Sequence, residues 1–437
     1  MNATLDKPMK KLDDLSSKFK ADIDARAEAL ADDPSYLQKN FVMLHGTNCA
    51  WDKTTNSMIK CEHMKLSFPM AFGIWKSNPG REIIPVSDLV FAPAGAKNGQ
   101  INMFTGIKLK PEKGDIEGWR FHLRNVICGG EQDVFEWVLK WLAYPLQNLG
   151  AKMATSVVVH GDEGAGKNLI FNPVQEIYGE WATQISQSQV ESDFNAWISC
   201  KLFIIANEVL SKRERKHIKG KLKAWITEPT IQVRQLFMPV REEVNCANFI
   251  FLSNEDSPID TDESDRRYLV LKTRNDLISE PASYYKELAK SIDVAAIYYH
   301  LLHEVDCTGF NPHEKPLMTQ AKQDLLRSNM PSHSMFISDW LEGKTVFPVQ
   351  TVGATQLYWA YQCWCAENGE RFPSTSTAFG RALAAKKNIT KGYPSIRFSS
   401  KKLTAYFIDT PAASTIDQET ITAFELLVEE QKRKYHL

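Results

Sequence analysis

The sequence predicts an α/β protein: a three-layer domain over residues 151–275, a small mixed domain before it and a winged helix after it. Three observations carry this. Apolar strand-like runs at 157–160, 202–206, 248–253 and 267–272 alternate with helical segments at 167–178, 188–199 and 213–227, the rhythm of helices packed on both faces of a sheet. A glycine-rich loop, "GDEGAGKN" (161–168), separates the first strand from the first helix. Residues 335–408 read as three helices followed by the hairpin "SIRFSSKKLTAYFI", the order of a winged helix.

From the N-terminus, residues 1–32 carry Met9, Leu12, Leu15, Phe19, Ile23, Ala27 and Leu30 mostly three or four apart, which predicts one amphipathic docking helix. Residues 33–115 break into short pieces such as "FVMLHG", "LVFAPAG" and "INMFTGIKL" between Gly, Pro and Asn, as in a small mixed α/β domain. Residues 1–110 offer no evident paired-carboxylate metal site, so no polymerase-like module is expected there. Residues 116–150 form a helical collar, with apolar side chains at 134, 135, 138, 139, 142, 143 and 146. A helical connector is expected over 276–330, the winged helix over 331–410 and a tail helix over 411–437.

At 437 residues the chain has room for two to four domains. Its net charge of −1 sets up no overall field toward nucleic acid or membrane, so any basic site must be local. The eight cysteines include no CxxC pair, which predicts reduced thiols and no zinc site. The charged N-terminus lacks the apolar core of a signal peptide, and no apolar run is long enough to span a membrane. A soluble, cytoplasmic protein without a membrane partner is expected.

The glycine loop fits G-x-x-x-x-G-K-[ST] except at its last position: Gly161, Asp162, Glu163, Gly164, Ala165, Gly166, Lys167, then Asn168. Such a loop wraps phosphates with backbone N–H groups, adds the positive end of the following helix, and reaches the β and γ phosphates with its lysine. ATP is the expected ligand. "KLFIIANEVL" (201–210) places Glu208 just after an apolar strand, where a carboxylate would meet the attacking water. The Asp usual before that Glu is replaced by Asn207. Asn168 and Asn207 are therefore the expected neighbours of a magnesium ion, two neutral amides that bind it less strongly than a carboxylate would. "NFIFLSNE" ends in Ser253 and Asn254; Asn254 is either a γ-phosphate sensor or a turn residue. "DRRYLVL" supplies Arg266 and Arg267, either surface ion-pair partners or an arginine finger for a neighbouring copy.

In their order and spacing, "GDEGAGKN", "LFIIANEV", "LKAWITEPTIQVRQ", "FIFLSNE" and "DRRYLVL" resemble the superfamily 3 helicases, in particular the poxvirus-type primase-helicase family of phages, satellites and plasmids. The resemblance covers about residues 100–275. It implies an AAA+-like P-loop ATPase core, a hexameric ring and translocation on single-stranded DNA. It also implies that "TIQVRQLFMPVREEV" is a hairpin pointing into the ring channel, with Arg234 and Arg241 as cationic contacts to phosphate. Where the family often carries Lys or His, this tip reads "LFMPV": Phe237 either stacks on a base or packs against a neighbour.

The basic run "SKRERKHIKGKLKAW" (211–225) is either a solvated helix face or a contact to DNA or nucleotide. In the C-terminal module, Arg381 lies on the expected recognition helix and Lys401 and Lys402 on the wing, positions suited to DNA or to a protein partner. The function expected is an ATP-dependent DNA helicase or replication initiator ATPase acting on single-stranded or forked DNA, with a primase or other replication protein as possible partner. The alternative is a nucleotide-gated assembly protein that hydrolyses ATP weakly, which Asn207 favours.

Overall fold

The computed structural model describes residues 32–209, 215–236, 240–259, 261, 265–278, 281–393, 404–409 and 418–437. The helix expected over residues 9–31, Phe237 at the hairpin tip, and Lys401 and Lys402 on the wing lie outside the described residues. The chain divides into two compact units, one reaching Ile259 and resuming over Arg266–Thr319, the other comprising 260–265 and Gln320–Leu437.

The first unit opens with helix α1 (Pro34–Asn40), where the Asp33 side chain accepts the Ser35 N–H at 2.8 Å and Pro34 occupies the first turn. Strands β1 (Phe41–His45), β2 (Cys49–Asp52) and β3 (Ser57–Lys60), helices α2 (Cys61–Ser67) and α3 (Ala71–Ser77), and strand β4 (Ile83–Pro85) follow. The sheet order is β3-β2-β1-β4, antiparallel except where β4 pairs parallel with β1. Leu37, Phe41, Met64, Phe68 and Trp75 form a satellite core there. A two-stranded parallel pair, β5 (Leu89–Val90) and β6 (Ile101–Asn102), leads on to the collar.

Helix α4 (Glu117–His122) runs into a wide helical turn over Leu123–Ile127. Helix α5 (Gln132–Gln147) buries all seven apolar positions read from its periodicity. Trp141 is a core residue whose indole N–H donates to Thr155 Oγ1 at 3.1 Å, which satisfies its one polar atom.

Strand β7 (Ser156–His160), helix α6 (Lys167–Tyr178), β8 (Ala182–Ile185), helix α7 (Gln187–Glu191), β9 (Phe203–Asn207), helix α8 (Arg215–Thr227), the hairpin strands β10 (Thr230–Val233) and β11 (Arg241–Val244), β12 (Asn248–Ser253) and β13 (Tyr268–Lys272) build the central layer. Five of these strands form one parallel sheet, in the order β13-β7-β12-β9-β8. Every residue of β7 and β12 is buried, as expected for a parallel sheet covered on both faces. Ile170, Phe171, Val174 and Ile177 of α6 cover one face.

Two segments differ from the sequence expectation. The helix expected over 188–199 is only α7 and a 3₁₀ turn at Ala196–Ile198. Between them Asn195 is tied to the hairpin: its amide donates to Gln232 O at 2.9 Å, and its Oδ1 accepts the Arg234 N–H at 2.7 Å. These bonds take the polar groups that a continuous helix would use internally. The connector contains helices α9 (Pro281–Ser291) and α10 (Val294–Tyr299) in the first unit, and 305–319 has no helix. Pro312 and Pro316 lie in that stretch and oppose one.

The second unit contains α11 (Gln320–Asn329), α12 (Ser332–Leu341), β14 (Val352–Gly353), α13 (Ala354–Glu367), α14 (Ser376–Ala384), β15 (Ile389–Gly392), β16 (Ala405–Ile408) and α15 (Gln418–Tyr435). Its antiparallel sheet has the order β14-β16-β15. Phe336, Trp340, Tyr361, Phe379 and Tyr406 share a core to which α15 adds Phe424 and Val428. Among the described residues no helix is long and apolar enough to cross a membrane.

Candidate nucleotide site

The sheet order makes the site. Strand β12 inserts between β7 and β9, so the chain segments leaving these three neighbouring parallel strands emerge side by side at the carboxyl end of the sheet. Ligands of open parallel sheets bind at the carboxyl ends of the strands, where the order reverses. Here the glycine loop leaves β7, Glu208 follows β9 and Asn254 follows β12.

Gly161 leaves β7 with φ +139°, and a Cβ on it would fall 2.1 Å from Thr273 Oγ1. Gly166 has φ +71°, and a Cβ there would meet His122 Nε2 at 2.7 Å and Tyr285 Cε1 at 2.8 Å. Both backbone shape and space therefore demand glycine. Helix α6 starts at Lys167 without a side-chain cap, which leaves its first N–H groups and the positive end of its dipole for a ligand.

Lys167 is buried. Its Nζ donates to Gly161 O at 2.8 Å, Asp162 O at 3.0 Å and Asn254 Oδ1 at 2.7 Å. Burial lowers its pKa, while Glu208, Asp162 and Glu163 act in the opposite direction. Glu208 sits at φ +50°, a left-handed conformation uncommon for a non-glycine residue and often found at functional sites. Its carboxylate accepts the Asn254 N–H at 2.8 Å and the Ser253 hydroxyl at 3.3 Å. The Asn207 amide donates to Gln184 Oε1 at 3.2 Å. These groups open on a cleft of about 570 Å³ lined by Glu163 to Leu169, Asn207, Glu208, Leu252, Asn254 and Tyr285, within the usual range for a small-molecule site. Asn168 is exposed at the start of α6.

Three residues around the loop carry no sequence signal. His122 is fully buried, with Nε2 3.1 Å from Ala165 O and Nδ1 3.0 Å from the Tyr284 hydroxyl. Its ring stacks on Tyr284 at 5.7 Å and meets Tyr285 edge-on at 5.7 Å. Burial pushes the imidazole pKa down to about 4.

The paired arginines are separated by their environment. Arg266 is exposed; Arg267 is buried, with its guanidinium 5.6 Å from the centre of the Tyr268 ring. A similar distinction holds at the hairpin. Arg241 is half-buried, donating from Nε to Glu243 Oε1 at 2.6 Å and from Nη2 to Ser199 Oγ at 2.7 Å. Arg234 is exposed and lines a second cleft, of about 290 Å³, with Asn195, Lys221, Trp225 and Gln232. Arg381 is exposed on α14. No group of three or more His, Cys, Asp or Glu residues suited to a metal ion is present among the described residues.

Residues 159–267, which contain most of the loop-to-strand machinery, match a family of unknown function (DUF5906). The chain shares its fold with the C-terminal region of NrS-1. The apo structure of that region (305–718) superposes with a TM-score of 0.65 at 20% identity, covering 86% of this chain and 99% of that one. An A form apo structure of the same region gives a TM-score of 0.64 at 20% identity, over 84% of this chain and 96% of that one. In sequence, 166 residues are 30% identical to the DNA primase-polymerase of Nitratiruptor phage NrS-1. That match spans 37% of this chain but only 23% of the relative.

Proposed function

We propose that this chain is the ATP-driven part of a phage, satellite or plasmid replication protein: a superfamily 3, AAA+-like ATPase with a winged helix, assembling as a hexameric ring on single-stranded or forked DNA. The observation that carries it is the convergence of Lys167, Asn254 and Glu208 at the carboxyl ends of three adjacent parallel strands. A lysine for phosphate, a polar sensor and a carboxylate are the parts that nucleoside triphosphate hydrolysis needs. The likeness to a phage primase-polymerase supports a role in phage DNA replication. The helix order and three-stranded sheet of the second unit support the winged-helix assignment.

Gly161 to Asn168 hold the triphosphate, Glu208 orients and activates water, and Asn254 senses the γ-phosphate. Arg266 reaches the phosphates of the neighbouring copy. At the hairpin, Arg234 and Lys221 flank a cleft suited to a nucleic-acid phosphate. A primase or another replication protein is the partner most in keeping with the phage relative. The test is ATP turnover by the full chain with and without single-stranded DNA, beside unwinding of a forked duplex. DNA-stimulated turnover with unwinding is expected; ATP binding without either would favour a nucleotide-gated assembly protein. Asn207 supports that second reading, because no carboxylate occupies its position beside the cleft.

Magnesium would be held by Asn168 and Asn207, cleft-lining residues whose side-chain amides offer neutral oxygen donors. Bound with the triphosphate, the ion would neutralise phosphate charge. Asn207→Asp is therefore expected to lower the free magnesium needed for half-maximal ATP binding and turnover, and Asn168→Ser to change it less. Identical midpoints for the parent and Asn207→Asp would place Asn207 away from the ion.

A further inference from the structure

We infer that His122 is a positioning residue for the glycine loop: held as the Nε2–H tautomer by the Tyr284 hydroxyl, it anchors the Ala165 carbonyl and so turns the Gly166 N–H into the phosphate cleft. The inference rests on the nucleotide reading of that cleft.

A carbonyl oxygen only accepts, so the 3.1 Å contact between His122 Nε2 and Ala165 O requires the proton on Nε2. The neutral ring then has a lone pair on Nδ1, which accepts the Tyr284 O–H at 3.0 Å. Burial keeps the ring in this neutral form. The peptide joining Ala165 to Gly166 is planar and trans, so its C=O and N–H point in opposite directions. Pulling the carbonyl toward His122 sends the Gly166 N–H the other way. Gly166 lines the cleft.

The same contact explains the bare loop. A Cβ on Gly166 would meet both His122 Nε2 and Tyr285 Cε1 at under 3.0 Å, so the two rings pack directly against the loop at this position, Tyr285 also lining the cleft. The two polar atoms of the imidazole serve one loop carbonyl and one hydroxyl. Filling space would require neither bond. His122 lies on α4 and Tyr284 on α9, elements 162 residues apart in sequence, and both bear on a loop that would otherwise be free to flip its peptide.

The experiment is calorimetric ATP binding by the full chain, with melting temperature measured alongside. His122→Phe keeps a ring but removes the donor, and is expected to weaken ATP binding about tenfold. His122→Gln restores an N–H donor and should recover most of the affinity. Tyr284→Phe frees the tautomer and should weaken binding by about threefold with little change in melting temperature. Parent-like affinity in a folded His122→Phe protein overturns the inference, as does equal weakening by Phe and Gln. If His122→Phe does not fold, parent-like affinity in Tyr284→Phe overturns it. Absence of ATP binding by the parent would instead refute the nucleotide reading itself.

Discussion

Lys167→Ala is expected to remove detectable ATP binding, with affinity falling by at least a hundredfold. The ammonium is the cation at the centre of the loop, and its Nζ already touches Gly161 O, Asp162 O and Asn254 Oδ1. A charge-assisted hydrogen bond contributes about 1.5–3 kcal/mol, and two such bonds to phosphate oxygens correspond to roughly two to four powers of ten in Kd. Burial lowers the lysine pKa, and the facing carboxylates Glu208, Asp162 and Glu163 favour the charged form. Arrival of the phosphates would add to that favouring charge. The substitution also leaves the buried Gly161 carbonyl without this donor, at a cost to stability of about 1–3 kcal/mol. Calorimetric titration with ATP, checked against thermal unfolding of the same sample, separates the effects. A folded Lys167→Ala chain that binds ATP as the parent does would end the phosphate-loop assignment.

The loop was legible because its signal is local: glycines and a lysine at fixed spacing between an apolar strand and a helical pattern. Glu208 was legible for the same reason, standing two positions beyond the five-residue apolar run 202–206. Helix α5 was readable from periodicity alone, and its seven apolar positions are buried. The insertion of β12 between β7 and β9 was not readable, since strand order depends on pairing between distant segments. Strand β8 escaped notice because "ATQI" is short and carries polar Thr183 and Gln184 at the sheet edge.

The remaining differences come from tertiary partners. Arg267 reads as a surface ion-pair partner or an arginine finger and Arg241 as a cationic contact to phosphate; in the fold one is buried beside Tyr268 and the other bonds Glu243 and Ser199. Asn195 interrupts a plausible helix because its amide meets the hairpin 37 residues away. His122 lies in "RFHLRNV", a stretch with no motif, and acquires its place only when α4 and α9 close around the loop. Such contacts leave no mark on local composition or spacing.

Glu208→Gln is expected to leave ATP binding intact while reducing turnover by a factor on the order of a hundred or more. The side chain is held before any ligand arrives: Oε1 accepts the Asn254 N–H at 2.8 Å and Oε2 the Ser253 hydroxyl at 3.3 Å. Glutamine preserves this arrangement, because its amide oxygen accepts from Asn254 and its NH₂ can donate to the Ser253 oxygen. The left-handed backbone at φ +50° is equally open to both residues. What changes is the capacity to take a proton, which a carboxylate has and an amide lacks. Loss of general-base assistance then appears in turnover and not in affinity. Asn254 joins Glu208 to Lys167 through its N–H and Oδ1, so in the proposed site it would couple the base to the loop. Turnover within a few fold of the parent, at unchanged ATP affinity, would show that a different group activates the water.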